Sequence, residues 1–330
     1  MTGKISNTRS ALSSYSSGTR GLVNRLREAK ALIRLRADSG SATVNQLVRE
    51  AQEFEQIVAR CSGTRVEGKS VLEVGPGQFL IQASWFARNN KVTAIDSDVI
   101  PVGFNPVAYL SMLLHNGPQR SGKTIVRKAM GVDARYRKCL RQALQASSLP
   151  PVRLVCGSVC QMEFPSGSFD AVLCRSVLHH IPEPIVALRE MARVLRPGGV
   201  VVANFHLFTS HNGSLDPRVM TGDYDESLMW AHLRPSVATD FRGNSFLNRL
   251  RLDEWRQAFS QAWPGCTIET AISSRPSIEA SAQAMLQSGA ISGYSLEELV
   301  THTVLAYWKK PSGSETDSAR TGASAYARSL

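Results

Sequence analysis

The sequence predicts an α/β fold in which a doubly wound parallel sheet carries helices on both faces. Short apolar runs recur along the chain, and segments with helical periodicity separate them. The first run ends in a glycine turn that leads directly into a helical pattern. The predicted strands are residues 71–74, 92–95, 152–156, 169–174, 200–205, 267–272 and 301–309.

The glycine turn after the first predicted strand is Gly75-Pro76-Gly77, and Glu73 lies two positions before it. A glycine turn at the carboxyl end of a buried parallel strand lets a ligand approach the backbone closely. The dinucleotide fingerprint requires a third glycine at the position of Leu80, so nicotinamide-dependent hydride transfer is disfavoured. The turn therefore predicts a pocket for a different small molecule.

Two carboxylates at successive strand ends indicate which molecule this is. Glu73 can accept a hydrogen bond from an ammonium group. Asp96 follows the second strand, 19 residues after Gly77, where a carboxylate can accept from both hydroxyls of a ribose. An ammonium group and a ribose, together with an adenine, describe S-adenosylmethionine.

With these residues in place, the chain resembles the class I S-adenosylmethionine-dependent methyltransferases, especially their type 11 branch. The resemblance runs in unbroken order from the first strand to the fifth and includes the last predicted strand. As a set, the matching motifs are highly specific. They are EVGPG at 73–77, the acid at 96, FPSGSFD at 164–170, SVLHHIP at 176–182, the helix LREMARVL at 188–195 and its stop RPGG at 196–199.

The resemblance implies a Rossmann-like, seven-stranded sheet whose last strand is antiparallel. It also implies an enzyme that transfers a methyl group from S-adenosylmethionine. Two positions depart from the family pattern: Phe79 stands where a third glycine is frequent, and Ser158 replaces the acid that accepts from the adenine amino group. The residues that the resemblance assigns to the cofactor are Glu73, Gly75, Pro76, Gly77, Phe79, Asp96, Ser97, Ser158, Val159 and Arg175.

The net charge of +11 over 330 residues is concentrated in two segments. Residues 1–37 and residues 116–141 each carry eight Lys or Arg against a single acid, which gives +7 for each segment. The rest of the chain is close to neutral. Such segments contact an anionic acceptor, an anionic lipid surface or a nucleic acid, or they are solvated helix faces.

Cysteine spacing and hydropathy give expectations about the cellular compartment of the protein. The six cysteines have no paired CxxC spacing, so the sequence predicts reduced thiols, no metal site and a cytoplasmic protein. No apolar run approaches the ~20 residues of a transmembrane helix. The Arg- and Ser-rich start is also typical of an organelle transit peptide, which leaves targeting as an alternative.

A helical insertion follows the second strand and is predicted to form a basic cap over the acceptor site. The basic residues expected on its outer or substrate-facing side are Arg127, Lys128, Arg135, Arg137, Lys138 and Arg141. It contains a P-loop pattern, GPQRSGKT at 117–124, but has no room for the sheet that a P-loop needs.

The predicted organisation is a disordered start at 1–19, N-terminal helices at 20–61, a methyltransferase domain at 62–310 with the insertion at 101–151 and an acceptor-side loop at 206–250, and a disordered tail at 311–330.

Two helices are predicted within the N-terminal region. Residues 21–36 have the pattern of a basic amphipathic helix, and residues 43–60 carry apolar side chains on one face. Thr43 and Gln46 have the spacing of a capping box, which places the start of the second helix near Thr43.

Histidines at the ends of the fourth and fifth strands are the candidate bases. Methyl transfer to a hydroxyl requires in-line alignment and removal of a proton, and imidazole suits proton removal near neutral pH. His179, His180, His206 and His211 follow these strands, and His180 and His206 are the predicted catalytic residues. The predicted acceptor atom is an oxygen, with nitrogen and carbon less favoured, of a small-molecule, glycan-linked or lipid-linked acceptor.

Two alternatives come from other functional classes. The basic segments favour an RNA or DNA methyltransferase, but residues 175–178, RSVL, differ from the Asn/Asp-Pro-Pro-aromatic loop that holds a flipped base. The second alternative is a non-catalytic module that binds the cofactor, or none, and acts through its basic helices.

Overall fold

The computed structural model describes residues 40–216, 226–237, 246–273, 275 and 277–312. The expected disordered start, the basic helix at 21–36 and the tail beyond residue 312 lie outside the described residues. Among the described helices, none is long and apolar enough to cross a membrane.

A seven-stranded mixed sheet forms the centre of the molecule. Its strands are β1 (Ser70–Val74), β2 (Lys91–Asp96), β3 (Arg153–Cys156), β4 (Phe169–Arg175), β5 (Leu195–His206), β6 (Thr267–Ile272) and β7 (Thr301–Lys309). In space the order is β3-β2-β1-β4-β5-β7-β6. The first five strands are parallel, and β7 runs antiparallel to β5 and β6. The predicted Rossmann-like sheet with an antiparallel last strand is confirmed.

Helices cover both faces of this sheet. They are α1 (Ser41–Ser62), α2 (Ile81–Phe86), α3 (Pro106–Asn116), α4 (Pro118–Ala129), α5 (Val132–Ala143), α6 (Pro184–Val194), α7 (Leu252–Ala262), α8 (Ser277–Gln287) and α9 (Leu296–Val300). On one face, α6 and α7 bury Leu188 and Trp255 against strand residues such as Leu72. On the other face, α1, α2 and α5 form a second core that includes Phe54 and Tyr136. Strand side chains alternate between these two cores, because successive residues of a strand point to opposite faces.

Helix α1 begins two residues earlier than its capping pattern predicts. Gly40 precedes it with a φ of 73°, and no side chain caps its first turn. Thr43 therefore lies inside the helix, and the Gln46 side chain donates to Glu50 one turn later. The predicted capping box was wrong, although the predicted buried face with Val44, Val48 and Phe54 is present.

Strand β5 extends further towards its amino end than the predicted 200–205. Helix α6 ends at Val194, and the RPGG segment expected as its stop belongs to β5. This segment is held by the chain after β7: the Gly198 N–H donates to the Lys310 carbonyl at 2.8 Å, and the Lys310 N–H donates to the Gly199 carbonyl at 2.9 Å. The predicted start of the fifth strand was wrong because a segment distant in sequence satisfies the backbone N–H and C=O groups of Gly198 and Gly199. The local sequence does not indicate this pairing.

The insertion between β2 and β3 consists of α3, α4 and α5. Residues 117–124, which match the P-loop pattern, form the start of α4 and follow another helix instead of a strand. Two of the basic residues expected on the outer or substrate-facing side of the cap are mostly covered. Arg127 Nε lies 2.6 Å from Asp133 Oδ1 and Lys128 Nζ 3.3 Å from Asp133 Oδ2, with both basic side chains less than 20% exposed. Asp133 pairs with both charges, and Arg127 Nη2 also donates to Gln78 Oε1 at 3.1 Å, beside the glycine turn.

Candidate active site

The carboxyl ends of β1, β2, β4 and β5 meet at one edge of the sheet. Val74 pairs with Ile95 on one side and with Cys174 on the other, so the residues that follow these strands lie side by side. Arg175 pairs with Asn204 at the end of β5. The strand register therefore places the glycine turn, Asp96, Arg175 and His206 at a single edge, where ligands bind in sheets of this type.

The glycine turn has two residues that need positive φ, and their surroundings differ. Gly75 has a φ of 64°, and a Cβ there would lie 2.3 Å from Val177 Cγ2. Gly77 has a φ of 65°, and a Cβ there would meet nothing within 4 Å. The first glycine is needed for close packing against the loop after β4, and the second borders open space. Val177 was not predicted as a site residue, since nothing in its spacing indicates the contact.

Glu73 is buried at the end of β1 and only partly satisfied. It accepts a hydrogen bond from the Ala83 backbone, whereas its Oε2 atom has no hydrogen-bond partner. Burial raises the pKa of this carboxyl to about 8, although the nearby Arg175 acts to lower it. A buried carboxyl oxygen without a partner fits the approach of a cation or another donor.

Arg175 lies between Glu73 and helix α1. Its Nη1 atom is 3.3 Å from Glu50 Oε2, and its buried Nε has no hydrogen-bond partner. Glu50 was not predicted as a site residue, because its position on α1 indicates only a solvated helix face. The structure brings this acid to the same edge as Arg175 and His206.

Asp96 is half-buried at the end of β2. Its Oδ1 atom accepts from the Asp98 backbone N–H at 2.9 Å. Burial raises the pKa of its carboxyl, and Arg120 of helix α4 acts to lower it. The side chain lines a cavity of about 350 Å³, which Asn105 and Ser111 of the insertion also line. Asp96 is thus placed to hydrogen-bond a ligand at this end of the edge.

The other predicted cofactor residues occupy the loops around this edge. Phe79 stacks on Tyr136 of α5, with ring centroids 4.1 Å apart, so the insertion holds its ring. The Ser97 carbonyl contacts the ring of His115 at 2.9 Å. Ser158 Oγ accepts from the Cys160 N–H, and Val159 packs on the core beneath it. Pro76 is buried within the glycine turn.

Four histidine rings come together after β4, after β5 and at the start of β7. His179 and His180 have ring centroids 4.0 Å apart, and His179 and His206 have centroids 6.3 Å apart. The fourth ring, His302, lies 4.5 Å from His206 and was not predicted. Burial lowers the pKa of His179 to about 2 and that of His302 to about 4. These buried imidazoles are neutral near pH 7.

The two predicted bases differ in their hydrogen bonds. His180 Nδ1 lies 2.8 Å from the Phe246 carbonyl, which can only accept, so a neutral His180 carries its proton on Nδ1 and has an accepting Nε2. Burial lowers the pKa of His180, and this hydrogen bond partly opposes the shift. Burial also lowers the pKa of His206, against the influence of Glu50, and His206 Nδ1 is buried without a partner.

His211, the fourth predicted histidine, lies in the loop after β5 and interacts electrostatically with His206. Its ring stacks with His302 at 5.5 Å, and burial lowers its pKa to about 4. It also packs edge-on against Trp230 at 6.0 Å. This environment indicates a role in holding the loop after β5.

Comparisons with known proteins agree with this geometry. A family model described as a methyltransferase domain matches residues 109–203. The chain is 30% identical over 145 residues to a ubiquinone biosynthesis O-methyltransferase of Alkalilimnicola ehrlichii, a match that covers 44% of each protein. It is 43% identical over 58 residues to a demethylmenaquinone methyltransferase of Staphylococcus aureus, covering 18% of this chain and 24% of that protein. These matches support a class I methyltransferase of the type 11 branch.

The extent of these matches is limited. The match with the ubiquinone biosynthesis enzyme spans less than half the length of that relative. Among solved structures, the YcgJ protein of Bacillus subtilis is 18% identical and has a TM-score of 0.39, with 79% of this chain and 100% of that one covered. A likeness of that size decides nothing about function. The assignment of the fold rests instead on the order and directions of the strands in this chain.

Class I methyltransferases use S-adenosylmethionine, and the candidate site of this chain fits that cofactor. The unpartnered Glu73 Oε2 offers an acceptor to an ammonium group, and Asp96 offers one to hydroxyl groups. Open space also borders Gly77 of the glycine turn. When bound, the cofactor supplies an activated methyl group.

Proposed function

We propose that the chain transfers a methyl group from S-adenosylmethionine to an oxygen of a small-molecule, glycan-linked or lipid-linked acceptor. Nitrogen and carbon acceptors are less favoured. The observation that carries the proposal is that His180, after β4, and His206, at the end of β5, belong to the same edge of the sheet as Glu73 and Asp96. This arrangement combines groups for a cationic nucleoside with neutral imidazoles for a proton.

Binding and alignment are the first task of the chain's own residues. We assign the ammonium group of the donor to Glu73 and the ribose hydroxyls to Asp96, with Ser97, Ser158 and Val159 around the adenosine end. Methyl transfer from a sulfonium needs little covalent help, so most of the catalytic effect comes from alignment of the acceptor behind the methyl group.

Proton removal is the second task. A hydroxyl acceptor loses its proton more easily when a neutral imidazole accepts from it, and this type of catalysis contributes about 10²–10⁴-fold. The accepting Nε2 of His180 and the unpartnered Nδ1 of His206 are the two candidate atoms. Amine acceptors need no comparably strong base, so the two histidines favour oxygen.

The names of the relatives support the same acceptor atom. The enzyme of Alkalilimnicola ehrlichii and one of Pseudomonas entomophila, 30% identical over 134 residues that cover 41% of this chain and 43% of that protein, are both O-methyltransferases of ubiquinone biosynthesis. We therefore include hydroxylated aromatic rings among the acceptors of this chain.

Nucleic-acid methylation receives less support than a small-molecule acceptor. Arg127 and Lys128, two of the basic residues that prompted this alternative, are paired with Asp133. Arg120 is paired with Asp98 through two hydrogen bonds of 2.7 Å. Charges neutralised inside the insertion contribute less to binding of phosphates.

The test is an assay of methyl transfer to a panel of catechols, phenols and matched anilines. The quantity measured is the S-adenosylhomocysteine that is released. We expect product with hydroxylated members, methylated on oxygen by mass spectrometry and NMR. The His180→Asn and His206→Asn variants identify the base, because the matching variant loses turnover but still binds the donor. Product with anilines alone would overturn the oxygen assignment.

A further inference from the structure

Three charged side chains meet near the sheet edge, and one of them comes from outside the strands. Glu73 of β1 pairs with Leu173 of β4, and Arg175 follows two positions later, so Glu73 and Arg175 lie on the same face of the sheet. Helix α1 packs on this face and brings Glu50 to Arg175. In the proposed function, Glu73 takes the ammonium group of the donor, whereas Arg175 and Glu50 have no role.

The guanidinium of Arg175 leaves most of its donors unused. Its side chain is 19% exposed, and its Nη1 atom donates to Glu50 Oε2 at 3.3 Å. The Nε atom is buried without a partner, and within the described part of the chain Nη2 makes no hydrogen bond. A buried N–H group without an acceptor costs free energy. The arrangement therefore indicates a further acceptor at the Nε–Nη2 edge.

The same edge of another arginine binds a carboxylate elsewhere in this structure. Arg251 donates from Nε to Glu298 Oε1 at 2.8 Å and from Nη2 to Glu298 Oε2. Two parallel hydrogen bonds of this kind give the contact between guanidinium and carboxylate both strength and direction. Since Glu50 occupies Nη1 of Arg175, the edge that remains matches a second carboxylate.

Glu73 and Arg175 together can bind a group that carries both charges. Glu73 Oε2 is buried without a partner, and Arg175 is close enough to influence the Glu73 carboxyl. An unused acceptor near unused cationic donors matches an ammonium group and a carboxylate on one carbon atom. The amino-acid end of S-adenosylmethionine has both groups, so the identity of this ligand rests on the proposed function.

Glu50 is held at both of its carboxylate oxygens. Gln46, one turn earlier on α1, donates to Oε1 at 3.1 Å, and Arg175 donates to Oε2. A long arginine side chain loses rotamer freedom when it binds a ligand. A contact that fixes the guanidinium beforehand reduces this cost and strengthens binding. Helix α1 therefore orders Arg175 before a ligand arrives.

We propose that Arg175 binds the carboxylate of the donor through its Nε–Nη2 edge and that Glu50 is a positioning residue, which holds Arg175 from the Nη1 side. Glu50 acts through Arg175 and does not contact the donor. The donor then lies with its ammonium group at Glu73, its carboxylate at Arg175 and its ribose at Asp96. Helix α1 thus contributes to the choice of donor, because molecules without the carboxylate gain nothing from Arg175.

The test is isothermal titration calorimetry of the full chain with S-adenosylmethionine and with decarboxylated S-adenosylmethionine, which lacks only the carboxylate. Wild type should bind S-adenosylmethionine at least about tenfold more tightly than the analogue, since the analogue cannot form the charge-assisted pair. Arg175→Met should lose at least about tenfold in affinity for S-adenosylmethionine and keep the wild-type affinity for the analogue. Arg175→Lys should lie between them, because lysine keeps the charge but not the planar fork.

Variants of α1 test the role of Glu50. Glu50→Ala should reduce the preference for S-adenosylmethionine over the analogue by about threefold or more, since Arg175 is then ordered only on binding. Glu50→Gln should restore part of this preference, because an amide oxygen can still accept from Nη1. Glu53→Ala is the matched control, since Glu53 is an exposed acid on the same helix, and it should keep the wild-type preference. In the Arg175→Met background, Glu50→Ala should have no further effect.

Several results would overturn this inference. Equal affinity of wild type for the two ligands would remove the carboxylate contact and leave the proposed function intact. A folded Arg175 variant that loses affinity for both ligands by the same factor would show that Arg175 does not recognise the carboxylate. An unchanged preference in Glu50→Ala would remove the positioning role, and a higher one would show that Glu50 competes with the donor for Arg175. A wild type that binds neither ligand would contradict the proposed function as well.

Discussion

Replacement of Gly75 by alanine should destabilise the protein more than the same change at Gly77. Both glycines have nearly the same positive φ, 64° and 65°. A side chain in this conformation costs about 1–2 kcal/mol. At Gly75 the new Cβ would also lie 2.3 Å from Val177 Cγ2, and overpacking of this kind adds about 1–3 kcal/mol. We therefore expect a loss of about 2–5 kcal/mol for Gly75→Ala and about 1–2 kcal/mol for Gly77→Ala.

Urea denaturation of the two variants measures this difference. The double variant Gly75→Ala/Val177→Ala should recover part of the loss, because it removes the methyl groups that the new Cβ meets. Calorimetry with S-adenosylmethionine should show the reverse order of importance, since the open space beside Gly77 is assigned to the donor. Equal stability losses, or no coupling between Gly75 and Val177, would refute the packing account.

Three further predictions concern single side chains. The folded state keeps a proton on Glu73 up to about pH 8, whereas the unfolded chain releases it near pH 4.5. Between these values, wild type should therefore lose about 1.4 kcal/mol of unfolding free energy per pH unit relative to Glu73→Gln. A stability difference between the two proteins that is the same at pH 5 and pH 8 in urea titrations would contradict this. The pH profile of kcat/KM should fall only below the ordinary imidazole value of about 6.5, because burial lowers the pKa of His180 and His206; an acid limb above that value would exclude both as the base. Removing the Glu298 carboxylate, which accepts twice from Arg251, should cost about 1–3 kcal/mol, because the 44%-exposed Arg251 regains contact with water; thermal unfolding of Glu298→Ala that matches wild type would contradict the role of this ion pair.

Much of the fold is readable from the sequence because local and tertiary signals agree along the central strands. The run at 71–74 is buried in the sheet, the run at 301–309 mixes buried and partly buried positions, and both form strands where predicted. The start of β5 could not be predicted, since the backbone of Gly198 and Gly199 is satisfied by Lys310, more than a hundred residues away in sequence.

The candidate site also contains some residues that the sequence predicts and others that it does not. Glu73 is predictable because the glycine turn follows it, and Asp96 because an apolar strand precedes it, which fixes each near a strand end. Val177 and Glu50 are not, because their roles arise only when the loop after β4 and helix α1 meet the sheet edge. The inward pairing of Arg127 likewise depends on a turn that places Asp133 beside it.

The central claim is that Glu73 and Asp96 hold the two ends of one S-adenosylmethionine molecule. Isothermal titration calorimetry of wild type and Asp96→Ala with S-adenosylmethionine tests it most directly. The account predicts binding to a single site in wild type and at least about tenfold weaker binding in the variant, since a ribose left without its acceptor loses charge-assisted hydrogen bonds. Equal affinities, or no heat with wild type, would contradict it.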